Sequence, residues 1–231
     1  MTTGMNGWTF VFDLDGTLVD TAPDLAAATN HVMRHLGLEP VHETEIRPFI
    51  GHGALVMIDK AAAAHGRVLK QTELYGLFEV FIHHYTAHIS DNSRPYPAVR
   101  ETLEHFTQNG ARLAVCTNKI EAHARSLLRA LNMDGQFAAI TGRDSLGVFK
   151  PDPGHLTGTI KLAGGKNSQT IMIGDSETDI RTAKNAGIPV IAVDFGYSIE
   201  PVATFQPDAI VSHYRELPAA AAMIAKQRAS S

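Results

Sequence analysis

Two aspartates one residue apart, Asp13 and Asp15 in "FVFDLDGTLVD", close an otherwise apolar run. On a β-strand, residues i and i+2 point the same way, so the two carboxylates would lie side by side with their charges unrelieved. Carboxylates clustered without a cation raise one another's pKa, whereas a hard divalent cation with oxygen ligands holds them ionised. Mg²⁺ suits such a site, because it takes a few carboxylate oxygens, keeps several waters and bridges to a substrate phosphate. Further polar residues stand in comparable places: Thr117 and Asn118 after "LAVC", Lys150 in "GVFKPDP", and Asp175 with Asp179 in "GDSETD". Singly, each is explained as a helix cap, a turn former or a solvated charge. Together they supply carboxylates, a hydroxyl and an ammonium, enough to bind a cation and to meet an anionic ligand.

The elements around these residues should bring them to one place. Val11 and Phe12 belong to a short buried strand that ends at the "DLDGT" turn. Thr21 is then a plausible N-cap for a helix over "APDLAAATNHVMRHLG", with Pro23 in its first turn and Gly37 as its stop. Two more helices follow, over "ALVMIDKAAAAHG" and "TELYGLFEVFIHHYTAHI", where apolar residues recur at three- and four-residue steps. After the linker "SDNSRPYP" the pattern alternates, helix "AVRETLEHFTQNG", strand "ARLAVCTN", helix "IEAHARSLLRALNM", strand "FAAIT", helix "PGHLTGTIKLAGG", strand "TIMIGD" and helix "TDIRTAKNAG". Strands "PVIAVDFG" and "DAIVS" and a helix through "ELPAAAAMIAKQ" complete it, ahead of a loose "RASS" tail. Such alternation predicts an α/β fold with a parallel sheet covered on both faces and right-handed crossovers. The expected division is a core of residues 1–19 and 91–231, split by a helical domain of residues 20–90. Ligands of open parallel sheets sit outside the carboxyl ends of the strands, where these polar residues fall.

Composition narrows the class. With 231 residues, 44% hydrophobic and 19% charged, the chain can bury a substantial core. A net charge of −4 with no long basic run argues against nucleic acid. The N-terminal "MTTGMNGWTF" lacks lysine and arginine and makes a poor signal peptide, and no apolar stretch reaches the roughly 18 residues of a membrane span. The one cysteine, Cys116, excludes an internal disulfide and reads as a buried small residue. The expected setting is the cytoplasm, as a monomer or homodimer. His31 and His35 lie one helical turn apart but lack the Glu of a zincin motif, and adjacent His83 and His84 diverge on a helix, so neither pair reads as a metal site.

The four polar motifs resemble, in order, those of the haloacid dehalogenase superfamily of aspartyl phosphotransferases: "DLDGT" its first, "CTN" its second, "FKPDP" its third and "GDSETD" its fourth. The likeness runs through "FDLDGTLVDTAPDL", "RPFIGHG", "GDSETDIRTAKNAG" and "FGYSIEPVATFQPDAIVSHYREL", and is greatest to the superfamily's phosphoglycolate phosphatases. It implies a Rossmann-like core, a helical cap inserted after the first strand, and a Mg²⁺-dependent hydrolase of a small phosphorylated metabolite, a carboxylic acid such as 2-phosphoglycolate. Asp15 favours phosphatases and phosphomutases over dehalogenases, whose halide leaving group needs no proton, and over phosphonate hydrolases, which carry Ala there.

In the resemblance, Asp13 is the nucleophile that forms an aspartyl-phosphate, and Asp15 protonates the leaving oxygen and later deprotonates water. Asp13, the backbone carbonyl of Asp15, and Asp175 ligate the metal, with Asp179 behind them. Lys150 offsets charge and holds Asp13, Thr117 binds a non-bridging phosphate oxygen, and backbone N–H groups near Asp15, Gly16 and Asn118 complete the cradle. Arg47 in "RPFIGHG" is a candidate for the substrate carboxylate, with Gly51 and Gly53 permitting close approach. Two departures stand out: "RPYPAV" where such proteins read "YPGV", and "KPDPGHL" without the last proline of "KPxPxPL". The alternatives are a phosphomutase, a phosphatase of a sugar phosphate, nucleotide or pyrophosphate, and a non-enzymatic phospho-accepting module.

Overall fold

A computed structural model describes residues 5–229. The last two residues of the "RASS" tail and the first four of the N-terminal stretch lie outside this range. The chain divides into two compact units, Met1–Val19 with Pro95–Ser231, and Asp20–Arg94. The second crossing of the chain thus falls four residues beyond the expected boundary at 90.

The first unit is built on a six-stranded sheet. Its strands are β1 (Thr9–Phe12), β2 (Arg112–Cys116), β3 (Ala139–Thr141), β4 (Thr170–Gly174), β5 (Val190–Val193) and β6 (Ala209–Val211), in the order β3-β2-β1-β4-β5-β6. All neighbouring strands are parallel. All four residues of β1 are buried, so the strand reads as a continuous apolar run rather than an alternating one. Val11 faces a cluster with Ala114, Met172, Leu156, Ile160, Ile180 and Ala183. On the alternate side Phe10 stacks on Phe106 with ring centroids 3.9 Å apart. Helices Val99–Gln108, Glu121–Ala130, Pro153–Leu162, Glu177–Asn185 and Leu217–Ala229 flank the sheet. Each large apolar side chain fully buried here contributes about 1.5–3 kcal/mol.

The strand order decides where the polar residues meet. The chain begins at the centre of the sheet, grows outward through β2 to β3, then returns to the other side of β1 with β4. The topological switch therefore lies at β1, between β2 and β4. Phe12 stands level with Val115 of β2 and Ile173 of β4, so the residues just past all three strands emerge side by side.

The second unit is helical: Ala22–His35, Glu43–Ile46, Ala54–Ala64 and Gln71–Ala87, with a 3₁₀ segment at Arg47–His52. The short helix at Glu43–Ile46 had no clear periodic signal; a reciprocal cap between His42 and Glu45 holds it. Thr21 precedes the first helix, but its side chain makes no capping hydrogen bond. Asp24 ties this helix to the returning chain: its buried carboxylate accepts from Ser93 N at 2.8 Å, Ser93 Oγ at 2.6 Å and Asn92 N at 2.9 Å.

Candidate active site

Asp13 is the first residue past β1, and its amide donates to Ile173 O of β4 at 2.9 Å. Asp175 follows β4 and Thr117 follows β2, both buried. Lys150 lies just before helix Pro153–Leu162 and is only 2% exposed. Its Nζ is 2.6 Å from Asp179 Oδ1 and 2.9 Å from Asp13 Oδ1. The contact to Asp13 is off the axis of a good hydrogen bond, so its attraction is chiefly coulombic. Asp179 is fixed from the other side, because its Oδ2 accepts from Ser176 N at 3.1 Å and Ser176 Oγ at 2.7 Å in a reciprocal N-cap of helix Glu177–Asn185.

Asp175 is held by Thr17 Oγ1, which donates to its Oδ1 at 2.8 Å, and by the amide of Tyr197, which donates to Oδ2 at 2.8 Å. Gly16 permits this crowding: its φ is +83°, and a Cβ there would stand 2.6 Å from Asp175 Oδ2. The amide of Gly16 donates to Val19 O at 3.0 Å, so this glycine shapes the turn. The side chain of Asn118 donates to Lys150 O at 3.0 Å and thereby ties the Lys150 loop to the end of β2. Thr117 Oγ1 accepts from the amide of Lys119 at 3.2 Å.

Ligand atoms of Asp13, Asp175 and Asp179 lie within 4.8 Å of one another, the one such group among the described residues. Three carboxylates and a single ammonium leave excess negative charge in a buried place. Burial pushes Asp13 up to about 6, against the pull of Lys150, with Asp179 adding to the rise. Burial, then Asp179 and Asp13, push Asp175 up to about 8 despite the donors from Tyr197 and Thr17. Burial alone would lower Lys150, but Asp13 and Asp179 outweigh it and hold the amine charged above its ordinary range. An all-oxygen donor set with uncompensated charge fits a hard divalent cation.

The first unit thus brings together Asp13, Asp15, Gly16, Thr117, Asn118, Lys150, Asp175 and Asp179. Arg47 belongs to the second unit, where its guanidinium donates to both oxygens of Asp20 at 2.8 Å and lies 3.5 Å from Glu43. The rings of His31 and His84 lie tilted against each other with centroids 4.3 Å apart, and those of His84 and His88 at 4.5 Å, a grouping that adjacency in sequence did not suggest. Cys116 is fully buried, and burial pushes its thiol up to about 11. Thr17, Tyr197 and Lys119 were not singled out by the sequence. Lys119 carried one readable signal, a cation directly after "TN" at a strand end; the backbone amide of Tyr197 carried none.

Residues 10–193 match the family described as haloacid dehalogenase-like hydrolase. The chain belongs to that family. This family member is 51% identical over 207 residues to a phosphoglycolate phosphatase of Mesorhizobium japonicum, covering 90% of this chain and 91% of the relative. It is 45% identical to one from Agrobacterium fabrum, covering 90% and 89%. The crystal structure of a predicted phosphoglycolate phosphatase from Haemophilus somnus superposes with a TM-score of 0.86 at 32% identity, covering 93% of this chain and 97% of that one. The parallel sheet with flanking helices is the fold of this family, and the chain is a phosphatase similar to phosphoglycolate phosphatases. No helix among the described residues is long and apolar enough to cross a membrane.

Proposed function

We propose that this protein hydrolyses the phosphomonoester of a small carboxylic acid, 2-phosphoglycolate or a close analogue, with Mg²⁺ and through an aspartyl-phosphate on Asp13. The observation that carries the reading is the setting of Asp13: a buried ammonium 2.9 Å from its Oδ1, and Asp175 and Asp179 within metal-binding distance. A carboxylate is repelled by a phosphate dianion unless cations offset both, so a nucleophilic aspartate needs such surroundings. The names of the relatives at 51% and 45% identity support the substrate class.

Asp13, Asp175 and the backbone carbonyl of Asp15 would hold the cation, with Asp179 fixing Lys150 behind them. When bound there, it supplies Lewis-acid neutralisation of the phosphoryl oxygens. Asp13 attacks phosphorus in line while the bond to the ester oxygen breaks, and Asp15 gives that oxygen its proton. Asp15 then takes a proton from a water whose oxygen bonds to phosphorus, breaking the bond to Asp13 and releasing inorganic phosphate. Lys150 keeps Asp13 aimed and offsets its charge. Thr117 donates its hydroxyl proton to a non-bridging oxygen, alongside backbone N–H groups near Asp15 and Asn118. Arg47 remains a candidate contact for the substrate's carboxylate. A cytoplasmic setting and a monomeric or homodimeric state belong to the same proposal.

The test is phosphate release from a panel of small phosphomonoesters with Mg²⁺ and with EDTA, beside Asp13→Asn. Expected is Mg²⁺-dependent release, greatest for 2-phosphoglycolate, and its loss in the variant. Full activity in Asp13→Asn, or no release from any ester, would refute the mechanism. Conversion of β-glucose 1-phosphate to glucose 6-phosphate without free phosphate would favour a phosphomutase, and a stable phosphoprotein without turnover a phospho-accepting module.

A further inference from the structure

Lys119 is a cation held against Asp15 past the end of β2. Its Nζ donates to Asp15 Oδ1 at 2.9 Å and to Oδ2 at 3.2 Å, across 104 residues of sequence, and its side chain is only 7% exposed. The backbone that carries it is fixed at both ends. Its amide donates to Thr117 Oγ1 at 3.2 Å, and its carbonyl accepts from the amide of Arg143 at 3.1 Å. Gly142 makes room for this loop, since a Cβ at that position would lie 2.5 Å from Lys119 O and 2.2 Å from Glu121 N. A lysine immobilised this far, with its stem buried, has lost most of the rotamer freedom that makes surface ion pairs worth little.

The buried cation beside Asp13 has a different address. Lys150 is enclosed by Asp13 and Asp179 and serves the nucleophile. Lys119 instead touches the residue that must meet the leaving-group oxygen. A proton donor reaches that oxygen at about 2.6–3.2 Å, so the Lys119 ammonium stands one carboxylate width beyond it, on the leaving-group side of the site. In a phosphorylated 2-hydroxy acid, ordinary bond lengths put a carboxylate oxygen about 3 Å from the ester oxygen. That carboxylate would arrive next to Asp15 and within reach of the Lys119 ammonium, which can turn to it once Asp15 carries the proton that it gives to the ester oxygen.

We propose that Lys119 is a specificity-determining residue that holds the carboxylate of the leaving group while keeping Asp15 in place. This inference rests on the phosphomonoesterase reading above and extends it by naming the group that selects the substrate class.

The experiment compares kcat/KM for 2-phosphoglycolate with that for ethyl phosphate, which has the same two-carbon skeleton with a methyl in place of the carboxylate. Wild type, Lys119→Met, Lys119→Arg and Arg47→Ala are assayed with Mg²⁺, with melting curves to confirm that each variant is folded. Expected is a wild-type preference for 2-phosphoglycolate that falls by roughly 10- to 100-fold in Lys119→Met, mostly through KM for that substrate, as the loss of a charge-assisted hydrogen bond predicts. Lys119→Arg, which keeps the charge, should retain part of the preference. An equal fall for both esters in Lys119→Met would mean that Lys119 acts through Asp15 alone and would overturn the inference. So would a preference that vanishes in Arg47→Ala and survives in Lys119→Met, or a wild type that cleaves both esters equally well. A wild type that releases phosphate from neither ester, or from any other in the panel, sinks the parent reading as well, and is thereby told apart.

Discussion

Raising the pH of the metal-free protein from 6.5 to 8 should lower its melting temperature, and Mg²⁺ should remove most of that loss. Asp13 at about 6 and Asp175 at about 8 both stand above the ordinary 3.8. The folded state therefore keeps protons that the unfolded chain has already released. Stability from this source is fully present below the unfolded value and is lost as pH rises through the folded ones. Histidines act in the opposite sense at lower pH. Burial, with Lys150 adding to it, drops His155 to about 4, and burial lowers His84 and His123 below 6.5, so their contribution grows with pH until the unfolded imidazoles have lost their protons, about one unit above 6.5. Above 6.5 Asp175 supplies most of the fall, with a small residue from Asp13, and the histidines offset part of it in the lower half of the window.

One proton of difference is worth about 1.4 kcal/mol per pH unit, and across this window the two aspartates together amount to about 2 kcal/mol. For a chain of this size the aspartates alone give a fall of roughly 5 °C, and the histidine offset leaves a smaller fall, steepest in the upper half of the window. A divalent cation holds the carboxylates ionised and binds more tightly as protons leave, so its stabilising effect should be larger at pH 8 than at 6.5. The assay is calorimetric or fluorescence melting in EDTA and in excess Mg²⁺ at half-unit steps, with Asp175→Asn as the control that loses the slope. A metal-free melting temperature that is flat or rises across the window, or an equal shift by Mg²⁺ at both ends, would refute the reasoning.

Two further perturbations test the architecture. Ala98, at the N-cap of helix Val99–Gln108, has φ 65° and ψ 10°, a left-handed conformation that costs a residue with a Cβ about 1–2 kcal/mol. Ala98→Gly should therefore raise stability by about 1 kcal/mol after the greater entropy of unfolded glycine is subtracted, seen as a higher urea midpoint with an unchanged slope; a lower midpoint counts against the strain. Lys150→Met removes the ammonium between Asp13 and Asp179, which should abolish turnover and cost about 3–5 kcal/mol near neutral pH. Retained phosphate release in a folded Lys150→Met protein would contradict the role given to that charge.

Much of the fold was legible because its signals are local. Buried strands read as short apolar runs, helices as three- and four-residue periodicity, and Gly37, with φ 70°, stops the first helix where the pattern ends. The departure "RPYPAV" was visible as an alanine in place of glycine, yet its strain became apparent only with the positive φ of Ala98. Thr21 shows the limit of local rules, since a residue type suited to capping stands before the helix and makes no capping hydrogen bond with its side chain.

The candidate site was legible in its residue types and illegible in its pairings. Asp13, Asp15, Thr117 and Asp175 announce themselves by chemistry at strand ends, and Lys150 in the loop before a helix; strand ends can be read from the pattern alone. Only the order of the sheet, with β1 between β2 and β4, decides that these ends are neighbours. Long-range contacts then set what each group does: Lys119 reaches Asp15 over 104 residues, Thr17 reaches Asp175 over 158, and Asp179 turns inward to Lys150. The reason is physical. A side chain's identity and local backbone preference are properties of a few consecutive residues, whereas its charge environment is the sum over whatever the tertiary fold packs around it.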